Sequence, residues 1–193
     1  GVLIFALVPE RPQAAPEAVA GQSAFSAQIS DLKQVYGSAF FWRLSFMVFL
    51  HNGVFLSYQA LWAAPWLRDV AGLDRDGVAE AMFMFNVGMF VGVLSIGLVA
   101  ERIQRLGIPT VVPAVVGIGL SIAIQMVFAS GWTEFPVIMC LLFGYFGSTA
   151  TLAYAVLNQH FPQKLTGRVN TAQNMLTFIA AFAAQWAAGV IIG

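Results

Sequence analysis

The sequence predicts an all-α integral membrane protein, a polytopic transmembrane helix bundle with five full spans plus a truncated one. Three observations carry that reading. First, 9% of the residues are charged and 59% are hydrophobic, where soluble domains carry about 25% charged residues. Second, the charges leave long gaps. Charge-free stretches cover 44–67, 81–100, 106–133, 135–163 and 169–193, which are 24, 20, 28, 29 and 25 residues, or 126 of 193. About 20 apolar residues in a helix cross a ~30 Å hydrocarbon core. Third, Lys and Arg alternate between loops. One set of loops holds Arg11, Lys33, Arg43, Arg102, Arg105, Lys164 and Arg168, and the other holds Arg68 and Arg75. By the positive-inside rule the first set, loops 9–38, 100–108 and 158–170, is cytoplasmic. A soluble protein with five buried helices would need charged outer faces, which these segments lack. An ordinary cytosolic enzyme is excluded.

The elements follow in order. Residues 1–8, GVLIFALV, read as the end of a truncated transmembrane helix, so the chain reads as a fragment of a longer polytopic protein. With no initiator Met and no basic n-region, this start does not match a signal peptide. Residues 9–38 form a polar cytoplasmic connector. Within it Phe25, Ile29, Leu32 and Tyr36 recur at spacings of four and three between Gln28, Asp31 and Lys33, which predicts an amphipathic helix in the membrane interface. The transmembrane bundle occupies 39–193, with spans at about 40–67, 79–99, 109–129, 136–157 and 171–193. Net charge is zero, so no basic field points to nucleic acid. Cys140 is the sole cysteine, and His51 and His160 match no ligand spacing, so neither a disulfide framework, a metal site nor a cofactor is expected.

Polar side chains inside a span need a reason when lipid lies outside. Ser45, Asn52 and Gln59 are seven residues apart on nearly one helical face, and His51 and Tyr58 form the adjacent row. This stripe on the first span should face a solute pathway or hydrogen-bond to another helix. His51 is the one group in any span core that titrates near neutral pH, so proton coupling in this part would fall to it, and the alternative is a neutral, hydrogen-bonded histidine. In the fourth span, GYFGSTATLAY places Tyr145, Ser148 and Thr149 on one face, again to line a cavity or pack a neighbour. Asn86 and Gln125 read as structural amides, and Gly88–Gly92 and Ala180–Ala184–Ala188 as helix-packing ladders.

After the second span comes GLVAERIQRLG, with Gly97, Glu101, Arg102, Arg105 and Gly107. It resembles the G-x-x-x-D-R-x-G-R-R loop motif of the major facilitator superfamily, with Glu101 at the aspartate. Arg102 and Arg105 at a helix C-terminus are favoured by its dipole. The connector, the FFWRL and LWAAPWL ends of the first span and FPQKLTGRVN before the fifth are similar to the sixth helix through the eleventh of that superfamily, its C-terminal half. The resemblance implies alternating access around a midplane site and a cavity lined by the first and fourth spans. It implies a cytoplasmic latch at the motif, with Arg168, Asn170 and Asn174 as its partners. The missing N-terminal half of the same polypeptide, the lipid bilayer and a small-molecule substrate, with protons as a candidate coupling ion, are the expected partners. A bacterial cytoplasmic (inner) membrane is the expected location.

The function expected is secondary active transport by a permease that is not an enzyme. The alternatives are the membrane subunit of an ATP-driven importer and a non-transport polytopic protein. The first would need a coupling helix, for which loops of about ten residues leave little room. An intramembrane enzyme would need a Ser/His or Asp/Asp pairing, absent from these cores. With no fixed charge in the five cores, an uncharged or amphipathic solute fits this half best.

Overall fold

A computed structural model describes residues 24–192. The truncated helix expected at 1–8 and the first part of the connector lie outside the described residues. The described chain is helical: α1 spans Ala24–Tyr36, α2 Ala39–Asp69, α3 Arg75–Arg105, α4 Val111–Ala129, α5 Pro136–His160 and α6 Thr166–Ile192. Five of these, all but α1, are long and apolar enough to cross a membrane.

Local chemistry sets the helix ends. The Ser38 hydroxyl accepts from Phe41 N–H at 3.3 Å to start α2, and Asp74 accepts from Gly77 N–H at 2.9 Å to start α3. Pro136 opens α5, where its missing N–H costs nothing. Gly107, at φ +84°, closes α3. Gly107 N–H donates to the Gln104 carbonyl at 2.9 Å and Ile108 N–H to the Ile103 carbonyl at 3.3 Å, the paired bonds of a Schellman cap. Two helices outrun their apolar blocks. The expected loop 100–108 is helical through Arg105, and α6 starts at Thr166 rather than near 171. For α3 the reason is physical: Glu and Arg are good helix formers, and Glu101 pairs with Arg105 at i, i+4. Charge marks where lipid ends, and the helix continues past it.

Packing follows small residues. The most extensive contact is α3 on α5. A Cβ on Gly88 would overlap the Leu141 carbonyl, and one on Gly144 the Phe85 carbonyl, so the two backbones touch where neither glycine could be larger. Likewise α2 meets α6 at Gly53 against Ala180. Two apolar cores result. One holds Phe41, Leu44, Val48, Ile118, Leu157 and Val169, and the other is aromatic around Phe55, Phe85, Phe128 and Phe143. The first core lies at the end where Phe40 stacks on His160 at 3.9 Å and Gln159 donates to Thr110 at 3.3 Å. We call this the charged end, because Lys33, Arg43, Arg105, Lys164 and Arg168 belong to the helix ends and turns that meet there. The outer faces of the spans carry Phe90, Leu94, Phe178, Phe182 and Trp186, all exposed, as lipid contact requires.

Candidate functional site

The polar stripe of α2 divides between two neighbours. Ser45 is buried and donates to Gln173 Oε1 of α6 at 2.6 Å, and one heptad on Asn52 Nδ2 donates to Thr177 Oγ1 at 3.3 Å. Gln59, the third member, is half-buried. The adjacent row turns towards α4 and α5. His51 is buried between the Gly147 carbonyl, 3.3 Å from Nε2, and Gln125 Nε2, 3.4 Å from Nδ1. A carbonyl only accepts and an amide N–H only donates, so this surrounding fits the neutral ring with its proton on Nε2. Tyr58 stacks on Phe128 with centroids 5.2 Å apart and meets Phe143 edge-on at 5.6 Å.

Both α2 and α5 contain an irregular turn. In α2, Tyr58–Trp62 is π-helical, and Ala63 N–H donates to the Tyr58 carbonyl. Pro65 follows, and it lacks the N–H that the Leu61 carbonyl would otherwise receive. Three polar atoms at this turn, Ser57 Oγ, Tyr58 Oη and Trp62 Nε1, are buried with no hydrogen-bond partner among the described residues, whereas His51 is bonded at both nitrogens. In α5, Ser148–Ala150 is a 3-10 turn, and Thr151 N–H turns to Ser148 O instead of reaching Gly147 O. His51 supplies a donor to the carbonyl released in this way.

The polar face expected on α5 turns to α3 and α4. The Tyr145 hydroxyl accepts from Ser95 of α3 at 3.2 Å. Ser148 sits where a Cβ on Gly92 would be, and Thr149 where a Cβ on Gly117 of α4 would be. Ser148 and Thr149 bond back to the carbonyls of Tyr145 and Phe146 at 2.7 and 2.6 Å. Ser148 therefore fills the contact of α5 with α3, while Tyr145 and Thr149 also line an apolar cavity of about 280 Å³ between α3, α4 and α5. Residues that the sequence did not single out as site candidates do face α2 or α6: Gln173, Thr177, Tyr154 and the Gly147 carbonyl. The spacing of Gln173 and Thr177, i and i+4, is the signal that could have paired them with Ser45 and Asn52.

The motif residues sit on the last two turns of α3. Glu101 pairs with Arg105 one turn on, at 2.7 Å, with both exposed. Arg102 is exposed, and a Cβ on Gly97 would meet nothing among the described residues. Gly107 is the cap already described. Arg168 is ion-paired with Asp31 of α1, the amphipathic helix. Asn170 is half-buried with Oδ1 unpartnered, and Asn174 Oδ1 accepts from the Tyr154 hydroxyl at 2.5 Å. Neither Arg168 nor the two asparagines contact Glu101 or Arg102 through a hydrogen bond or ion pair among the described residues.

Five apolar spans, buried uncharged polar contacts between them and charges gathered at their ends define a polytopic integral membrane protein. The family description Major Facilitator Superfamily matches residues 1–185. The chain belongs to that superfamily, whose members are membrane transporters. No curated protein matches the chain, and no solved structure matches it.

Proposed function

We propose that the chain is part of a secondary active transporter that moves a small uncharged or amphipathic solute by alternating access, driven by an ion or solute gradient, in a bacterial inner membrane. One observation supports this reading above the others. The two spans with irregular interior turns among the described residues are α2 and α5, and the His51–Gly147 hydrogen bond joins them next to the α5 turn. Broken helices at the midplane are where transporters bind solute and bend. The pathway role on α2 falls to Tyr58 and Gln59, with Ser45, His51 and Asn52 holding that helix against its neighbours. The absence of fixed charge from the span cores of the described residues supports a neutral solute.

The test uses the full transporter in proteoliposomes. Tracer flux should follow an imposed ion gradient without ATP, and flux that needs ATP and ignores the gradient would refute the reading. His51→Gln retains an amide donor and removes titration. If protons drive flux through this half, the variant should lose gradient-driven accumulation while keeping exchange. Unchanged accumulation places the proton carrier elsewhere.

A further inference from the structure

Uncharged polar side chains gather on the seam between α5 and α6 near the charged end. Tyr154 donates to Asn174 across the seam, and this bond is exposed. One turn nearer the charged end lie Asn158 on α5 and Asn170 on α6, on either side of the turn that joins the two helices. The Oδ1 atom of each is buried without a hydrogen-bond partner. Thr151, on the stripe of α5 that runs from Gly147 to Tyr154, is exposed as well. The exposed positions of α3 carry Phe83, Phe90 and Leu94, with one amide, Asn86, bonded back to the Met82 carbonyl, and on α6 the Asn170–Asn174 stripe runs on into Phe178 and Phe182. Lipid accepts those rings and aliphatic chains but not a tyrosine hydroxyl beside amides. The seam is also free of formal charge. Arg168, the nearest cation on α6, is taken by Asp31.

We infer that Tyr154, Asn158, Asn170 and Asn174 form a wet, uncharged subsite that takes hydroxyl or amide groups of a small neutral solute. The inference rests on the transporter reading, and it adds the opposite stripe of α5 to the candidates Tyr145, Ser148 and Thr149. An amide offers two donors and an acceptor, and the tyrosine hydroxyl offers one of each, which together suit a polyol or an amide. A carboxylate or an ammonium group would lack a countercharge there.

Single-cysteine variants of a cysteine-free full transporter in proteoliposomes test this. Thr151→Cys and Asn174→Cys are compared with Phe83→Cys and Phe90→Cys, whose side chains are exposed on α3, away from the seam. The probe is 2-sulfonatoethyl methanethiosulfonate, a charged reagent confined to water. Modification at the seam should run at least ten-fold faster than at the phenylalanine positions. Glycerol, glucose or acetamide should slow it several-fold, and acetate and ethylammonium should not. Tyr154→Phe in the Thr151→Cys background, which removes only the hydroxyl, should weaken that protection. Seam rates equal to the phenylalanine rates would overturn the inference, as would protection by the charged solutes alone. The two readings fail separately. A slow seam in a transporter with measured flux defeats the subsite, and a fast, protectable seam without flux defeats the transport reading.

Discussion

Ser45 and Gln173 show how much one buried polar contact carries in a lipid-facing bundle. Ser45→Ala leaves both polar ends of the Gln173 amide without a partner, because Gln173 Nε2 already has none. An unsatisfied buried group costs about 1–3 kcal/mol. Ser45→Ala should therefore lower stability by about that much, and adding Gln173→Leu should return part of the loss. Thermal unfolding in detergent, arranged as a double-mutant cycle, should give a coupling of about 0.6–2 kcal/mol, the range for interhelical hydrogen bonds. Zero coupling would mean that the pair does not form. At this scale the sequence disclosed which side chains are unusual but not what they touch. The heptad spacing of Ser45, Asn52 and Gln59 is visible in one strand of text, whereas their partners on α6 lie more than a hundred residues away. Tyr145, Ser148 and Thr149 illustrate the complementary case. Their helical face is readable, but which neighbour it meets is set by Gly92 and Gly117 on two other helices.

Helices are more legible than side chains because their signal is repeated along many residues. Length and apolarity pointed to five spans, and five helices among the described residues are long and apolar enough to cross a membrane. What periodicity could not show are the π turn of α2 and the 3-10 turn of α5, since one extra or missing residue per turn leaves composition unchanged. Glycines divide along the same line. Gly88 and Gly144 lie against backbone carbonyls that cannot move aside, so Gly88→Ala or Gly144→Ala should separate α3 from α5 and cost about 1–3 kcal/mol or more. Gly97 is also in a helix but meets nothing, and Gly97→Ala should leave unfolding unchanged or raise stability by up to about 1 kcal/mol. Gly107→Ala must adopt positive φ and should destabilise the α3 terminus. Melting curves of the four variants should separate Gly88 and Gly144 from Gly97. If Gly97→Ala preserves the melting point but slows flux, its open face docks outside the described residues. If it alters neither, the motif glycine has no docking role.

For the whole molecule, the placement of cations carries the most information. Contacts among α1, α2, α4, α5 and α6 bring the cationic helix ends and turns to one end of the bundle, as the alternation of loops required. Two kinds of charge sit there. Asp31 and Arg168 are partly shielded, with side chains 25% and 32% exposed, and they tie α1 to the start of α6. Glu101 and Arg105 are 56% and 76% exposed and satisfy only each other, so their pair should contribute less than about 1 kcal/mol to folding. Arg102 stands beside them without an ion-pair partner among the described residues. A cluster worth so little to the described bundle gains a purpose if, under the proposed transport reading, it closes against another part of the transporter in one state of the cycle. The double variant Glu101→Ala with Arg102→Ala should then unfold within about 0.5 kcal/mol of the parent, yet shift inward-facing against outward-facing accessibility and change flux several-fold. High salt should reproduce part of that shift in the parent, because exposed pairs are screened beyond a Debye length of about 8 Å at physiological ionic strength. Asp31→Asn should behave differently, loosening α1 and lowering the unfolding midpoint. A double variant with parental flux and parental accessibility on both sides would show that the end of α3 is not a latch.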